Sequence, residues 1–198
     1  MQTAHPAPTP TPNANANANT NPARYTGVAM GLHWIMAFAL FGAFSLGVYM
    51  HDLPFSPSKL QYFSWHKWAG VTLFVLVFVR LTWRLTHRPP ALPSDMPRWQ
   101  QLIAAATHHG LYLLMIAIPL TGWLMSSAKG FQTVWFGVLP IPDLLEKSEE
   151  MGDLLRNVHE ALNILLALAV FAHVGAALKH HFINRDDVLT RMLPFVRR

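Results

Sequence analysis

Four apolar stretches constrain the fold of this chain more than any other feature, because each is long enough, or nearly so, to cross a bilayer. They run from Val28 to Met50, Trp68 to Val79, Trp99 to Ala128 and Ala161 to Leu178. Only 13% of all residues are charged, against about 25% in soluble globular domains. The second stretch is short for a bilayer core of about 30 Å, but the lysine and arginines that flank it can extend to the interfaces. We therefore predict an all-α integral membrane four-helix bundle, with helices at about 28–50, 66–85, 101–127 and 157–180.

The segments outside the helices differ in composition. Residues 1–23 are rich in Pro, Asn, Ala and Thr and contain no lysine or arginine, so we predict a disordered tail rather than a signal or transit peptide. Residues 24–195 are predicted to form one four-helix transmembrane domain, and 196–198 a basic carboxy-terminal end. The long third loop mixes aromatic and acidic residues; we expect it to cover the outer end of the bundle, where a short surface helix would suit its composition.

The distribution of positive charge predicts the orientation of the bundle. With a cytoplasmic amino terminus, ten of the fifteen lysines and arginines fall on the cytoplasmic side. Cytoplasmic loops carry such an excess, so both termini are predicted to be cytoplasmic. The ten are Arg24, Arg80, Arg84, Arg88, Arg98, Lys179, Arg185, Arg191, Arg197 and Arg198, and the other five are Lys59, Lys67, Lys129, Lys147 and Arg156.

The cysteine and histidine counts restrict the redox chemistry that the chain can support. The absence of cysteine excludes disulfides, iron–sulfur clusters and thiolate ligands. Eleven histidines are present, and several lie inside the apolar stretches. Redox chemistry in this chain would therefore use histidine ligands. The net charge of +5 is assigned to membrane topology rather than to nucleic-acid binding.

Two histidines in the fourth helix lie on one face at two depths. His159 and His173 are fourteen residues apart, which corresponds to about 21 Å along a helix and a rotation of about 40°. Ionisable groups inside a membrane are usually functional. This spacing suits two prosthetic groups stacked across the bilayer, each of which needs an axial partner from another helix.

Depth selects the candidate partners. His66 opens the second helix at the outer end, level with His159, while His33 lies near the cytoplasmic end of the first helix, level with His173. His108 and His109 lie at the same depth as the inner pair, so from the residues alone either could ligate the inner group. Alternatively, they could form a polar site that binds a quinone carbonyl or relays a proton.

The fourteen-residue offset recurs in the other helices. Fourteen residues after His33 is Gly47, which leaves room for a flat macrocycle, and fourteen after His66 is Arg80, a candidate partner for a haem propionate. Gly70, one turn after His66, also allows close approach to the backbone. The glycines could instead serve helix packing, and the arginine could instead extend to the interface.

These motifs resemble the bacterial cytochrome b561 family. The segments that carry the resemblance are "GLHWIMAF", "WHKWAGVTLFVLVFVRLTWR", "HHGLYLLMIAIPLTGW" and the histidine pair of the fourth helix, in the same order over residues 24–195. The resemblance implies two haem b groups, held by His66 with His159 and by His33 with His173. It also implies electron exchange with ubiquinone, and it disfavours direct ligation by His108 and His109. Some members of the family are proposed to oxidise superoxide at the outer face, so the resemblance implies this reaction as a candidate activity.

Three functional classes remain to be compared. The first is a multi-pass oxidoreductase of the bacterial inner membrane that connects an outer donor, such as superoxide, to ubiquinone. The second is a cytochrome b electron-transfer subunit docked to a dehydrogenase or hydrogenase, since such subunits share the four-histidine layout. An ion transporter is the third, and the absence of intramembrane acid pairs disfavours it. Lys67 and Arg156 could attract a superoxide anion, whereas the acidic run at 143–153 would oppose it.

Overall fold

A computed structural model describes residues 24–93 and 96–196 of the chain. The long elements are four helices: α1 Gly27–His51, α2 Pro57–Thr86, α3 Arg98–Ala128 and α4 Glu149–Lys179. Between α3 and α4 lies an antiparallel pair of short strands, β1 Val134–Trp135 and β2 Leu139–Pro140. A π-helical turn, His180–Asn184, and a 3-10 turn, Thr190–Met192, follow α4. The predicted tail at 1–23 and the last two residues of the basic end lie outside the described residues.

The surface of the bundle is apolar, as a lipid environment requires. All four helices are long and apolar enough to cross a membrane. Large side chains point outwards on them: Phe38, Phe41 and Phe171 are 70%, 74% and 82% exposed. Exposure of so much apolar surface to water is unfavourable, whereas its contact with lipid hydrocarbon is not. The prediction of an all-α integral membrane bundle is confirmed.

Two helices begin earlier than their apolar stretches indicate, because polar caps extend them. The Ser56 side chain accepts a hydrogen bond from the Lys59 amide (3.2 Å), and Pro57 occupies the first turn of α2. Ser148 caps α4 in the same way, and two glutamates follow it in the first turn. Both patterns are standard amino-terminal helix signals. They place the starts of α2 and α4 at Pro57 and Glu149 rather than near 66 and 157.

The helices pack in chain order, α1 on α2, α2 on α3 and α3 on α4. Because they alternate in direction, the start of α1, the α2–α3 connection and the end of α4 meet at one end of the bundle, here called the terminal end. The strands lie at the opposite end, called the hairpin end. Contacts between α4 and either α1 or α2 are sparse by comparison. Two small apolar clusters hold the packed pairs together: Met36, Leu73 and Val77 on α1 and α2, and Leu114, Ile118 and Leu166 on α3 and α4.

The carboxy-terminal segment closes the terminal end. Arg24 donates to the Leu193 carbonyl (2.5 Å), and the Trp34 indole donates to the Met192 carbonyl (3.0 Å). His180 and Asp186 lie 2.5 Å apart in the turn that reverses the chain. Burial alone would raise the pKa of the Asp186 carboxyl, but hydrogen bonds from His180 and the Val188 amide outweigh burial and keep that pKa below its usual range.

A β-hairpin, rather than a surface helix, covers the hairpin end. Three residues, 136–138, connect the strands, and Phe136 (φ 50°) and Gly137 (φ 73°) adopt the left-handed conformation that is common in hairpin turns. The Trp68 indole donates to the Val134 carbonyl (2.6 Å), and the Trp135 indole donates to the Thr72 hydroxyl (3.2 Å). Backbone pairing and indole donors therefore fasten this loop to α2.

The acidic run beside the hairpin is partly neutralised. Lys129 forms ion pairs with Glu149 (2.7 Å) and Asp153 (2.8 Å), and Arg156 also contacts Asp153 (3.1 Å). Gly152 lies beneath the lysine, and a Cβ added there would be 2.6 Å from Cε of Lys129. A glycine at this position thus allows the lysine to reach both acids.

We predict that Gly152→Ala displaces Lys129 and loosens the start of α4. In reconstituted protein, trypsin should then cut at Lys129 and Lys147 faster than in the wild type, because the loop opens more often. Gly175→Ala, in the same helix but with nothing within 4 Å of the new Cβ, is the matched control and should leave cleavage unchanged. Equal cleavage of the two variants would contradict the role assigned to Gly152.

Candidate functional site: two histidine pairs

The four histidines singled out in the sequence meet as two pairs, one near each end of the bundle. The rings of His66 and His159 have centroids 6.3 Å apart, and those of His33 and His173 lie 6.2 Å apart. The first pair bridges α2 and α4, and the second bridges α1 and α4. In each pair, the two helices that carry the rings contact each other sparsely. Space therefore remains between the facing rings.

Each ring of the hairpin-end pair is oriented by a backbone carbonyl of the neighbouring helix. Nδ1 of His66 donates to the Ala43 carbonyl (3.0 Å), and Nδ1 of His159 donates to the Ile118 carbonyl (3.0 Å). A carbonyl can only accept, so Nδ1 must carry the proton and Nε2 must present its lone pair. This is the tautomer in which an imidazole binds a metal through Nε2.

A glycine lies against each of these two rings. A Cβ added at Gly47 would lie 3.1 Å from Cε1 of His66, and one added at Gly122 would lie 3.1 Å from Cε1 of His159. Gly47 is one of the residues predicted from the sequence, whereas Gly122 is not. The signal for Gly122 was present, since it follows His108 by the fourteen residues that separate Gly47 from His33.

Four residues meet at the depth of the second pair, and we call this group the terminal layer: His33, Arg80, His108 and His173. Nη1 of Arg80 donates to the Ala29 carbonyl (2.9 Å), and its Nη2 lies 3.4 Å from Nδ1 of His33. The ring of His108 meets that of His173 edge-on, with centroids 5.4 Å apart. The arginine and the additional histidine therefore flank the His33–His173 pair.

The remaining candidates are more peripheral. His109 is exposed on the outer face of α3, away from the rings. Gly70 has open space within 4 Å of the position of a Cβ. Lys67 is half-buried and donates to the carbonyls of Phe131 (3.1 Å) and Gln132 (3.2 Å), so it holds the third loop.

The two pairs suit an iron whose other ligands come from a macrocycle. A metal–imidazole bond is about 2 Å long and the ring centre lies about 1.1 Å further on, so two imidazoles that shared one metal ion would place their centroids up to about 6.2 Å apart. The observed separations are 6.2 and 6.3 Å. Within residues 24–93 and 96–196, no three His, Asp or Glu side chains are grouped to hold a bare metal ion. The residues present therefore fit axial ligation of haem.

We predict that Gly122→Ala and Gly47→Ala each destabilise the protein by about 1–3 kcal/mol, the usual cost of overpacking a close contact. The added methyl group must push an imidazole away from its carbonyl partner. Gly110→Ala and Gly42→Ala, in the same two helices with nothing within 4 Å, are the controls. Denaturant unfolding in detergent micelles measures the difference, and four equivalent curves would refute the prediction.

Comparison with known proteins identifies the family. Residues 24–195 match the family model described as prokaryotic cytochrome b561. The chain is 35% identical to "Cytochrome b561 homolog 2" of Escherichia coli K12 over 87% of its length and 93% of the relative's. It is 31% identical to "Cytochrome b561 homolog 1" of the same organism, over 86% and 97%. It is 27% identical to "Probable superoxide oxidase CybB" of Yersinia pestis, over 86% and 96%. The chain is a member of the prokaryotic cytochrome b561 family of haem b membrane electron-transfer proteins.

Proposed function

We propose that this protein is a di-haem oxidoreductase that passes single electrons from superoxide, at the hairpin end, to ubiquinone. The observation that carries the proposal is the presence of two ring pairs of matched separation, 6.2 and 6.3 Å, at two depths of one bundle. Haem b iron, when bound, alternates between ferric and ferrous states and so supplies one-electron chemistry at each position. Two superoxide anions supply two electrons which, with two protons, reduce one ubiquinone to ubiquinol and release two molecules of dioxygen.

The histidines have defined roles in this scheme. His66 and His159 would hold one haem, and His33 and His173 would hold the other. The bonds from Nδ1 of His66 and His159 to Ala43 and Ile118 fix the orientation of the rings and increase the basicity of Nε2. Arg80, with Arg84 one turn further along α2, supplies positive charge for propionates in the terminal layer.

The orientation follows from charge. Ten of the fifteen lysines and arginines belong to the terminal end or to the chain ends, so we assign that end to the cytoplasm and the hairpin end to the outer face of a bacterial inner membrane. The hairpin-end pair is then the outer one. An electron that enters beside His66 and His159 crosses the membrane towards His33 and His173.

Superoxide as the donor is supported by one relative and by local charge. The relative from Yersinia pestis is named a probable superoxide oxidase. Lys67 places a cation beside His66, and Lys129 pairs with two acids that would otherwise repel an anion. These contacts reduce the conflict between the acidic third loop and an anionic substrate.

Ubiquinone is proposed to approach the terminal layer from the lipid. His109 is exposed on the outer face of α3, and the neighbouring His108 contacts the ring of His173. An imidazole at this position can donate a hydrogen bond to a quinone carbonyl and pass on a proton.

Ligand variants test the haem assignment. We expect His66→Ala and His159→Ala to lose the hairpin-end haem, and His173→Ala to lose the other, because one axial bond is removed in each case. The haem-to-protein ratio should fall from about two to about one. Quantitative absorbance of purified protein, with low-spin signals by electron paramagnetic resonance, measures it. Retention of two low-spin haems in any of these variants would refute its ligand.

Rapid kinetics test the reaction. Superoxide mixed with purified protein should reduce the haem within the stopped-flow time range, and added ubiquinone should reoxidise it. His109→Ala should keep both haems and slow the ubiquinone step by at least about tenfold, because a proton donor is lost. His181→Ala, at a half-buried position in the π-helical turn beyond α4, is the control. Absence of reduction by superoxide in protein with full haem would exclude this donor.

A subunit role is the second candidate, and an exposed surface favours it. Val138 is 83% exposed at the hairpin, and Glu146 and Glu150 are exposed beside it. A dehydrogenase or hydrogenase subunit could bind this surface. Extraction in mild detergent would then yield a stoichiometric partner and a protein that superoxide does not reduce.

A further inference from the structure

The two helical hairpins of the bundle repeat each other around the histidines. In α1 and α2, a carbonyl at Ala43 and a glycine four residues later, Gly47, surround the ring of His66. In α3 and α4, the same arrangement is made by Ile118, Gly122 and His159. The distances agree within 0.1 Å: 3.0 and 3.0 Å from Nδ1 to the carbonyl, and 3.5 and 3.4 Å from Nδ1 to the added Cβ.

The repeat extends to the terminal layer through equal spacing. His33 precedes Gly47 by fourteen residues, as His108 precedes Gly122. Arg80 follows His66 by fourteen residues, as His173 follows His159. His108 is therefore the counterpart of His33, and Arg80 is the counterpart of the ligand His173.

Side-chain contacts agree with this equivalence. Arg80 reaches Nδ1 of His33 at 3.4 Å, and its counterpart His173 meets the ring of His108, the counterpart of His33. Of the matched histidine and glycine positions in the two ring layers, only 80 and 173 differ in residue type between the repeats. Position 80 in the first repeat carries an arginine, whereas position 173 in the second carries a histidine.

The same fourteen-residue spacing also relates position 80 to the facing pair at the hairpin end. At the hairpin end, α2 and α4 supply the facing pair His66 and His159. Fourteen residues further along the same two helices are positions 80 and 173. A histidine at 80 would therefore face His173 as His66 faces His159.

We infer that position 80 is a latent haem-ligand position, and that Arg80, by closing it, assigns His33 as the partner of His173. A guanidinium remains protonated and has no lone pair to give a metal. Its bond to the Ala29 carbonyl (2.9 Å) holds it beside His33. The ligand axis then runs from α1 to α4 at this depth instead of from α2 to α4. The inference rests on the proposed di-haem function.

The test moves the ligand from α1 to α2. His33→Ala should contain about one haem per chain, and His33→Ala combined with Arg80→His should restore about two, with a low-spin bis-histidine signal. Two controls share the His33→Ala background. Arg80→Gln fills the position with an amide, whose nitrogen has no lone pair to give a metal, and Arg84→His places an imidazole one turn away; both should stay near one haem.

Each outcome has a defined meaning. Fewer than two haems in the wild type would contradict the proposed function itself. Two in the wild type but one in the His33→Ala, Arg80→His variant, with the hairpin-end haem intact, would overturn the inference alone, as would equal restoration by Arg84→His. Two haems in His33→Ala by itself would overturn both the assignment of His33 and the inference. If the double variant loses the hairpin-end haem and so has misfolded, His33→Gln replaces His33→Ala in the same comparison.

Discussion

The hydrogen bond from a histidine Nδ1 to a backbone carbonyl of the adjacent helix is the interaction on which the site depends. Inside hydrocarbon, a helix carbonyl is already bonded within its own helix, so an imidazole uses the second lone pair of the oxygen. The ring must then approach the backbone closely, and a glycine one turn further along permits this at Gly47 and Gly122. Helix packing, ring orientation and the tautomer of each imidazole are thereby determined together.

Much of this site follows from periodicity in the sequence. The fourteen-residue spacing and the depth of each histidine pair His66 with His159, because helix geometry is regular. At the inner depth they leave His33, His108 and His109 as alternative partners of His173. Gly122 is predictable in the same way, because it follows His108 by fourteen residues. Depth also placed His108 and His109 together, whereas only His108 turns towards the rings.

Other features depend on contacts that periodicity does not contain. Hydropathy locates the apolar part of a span but not the polar turns that extend it, so the starts of α2 and α4 required the capping signals at Ser56 and Ser148. The third loop forms strands because the indoles of Trp68 and Trp135 bond across to it. Those partners are distant in sequence, and composition alone favoured a surface helix.

The carboxy-terminal closure has a consequence for biosynthesis. Arg24 and Trp34, at the start of α1, donate hydrogen bonds to carbonyls of residues 190–193. These partners leave the ribosome after all four helices have been made. Until then, the ring pair at the terminal end lacks its cover, while the pair at the hairpin end already has its helices and its hairpin. Translation order thus leaves one of the two ring pairs uncovered for longer than the other.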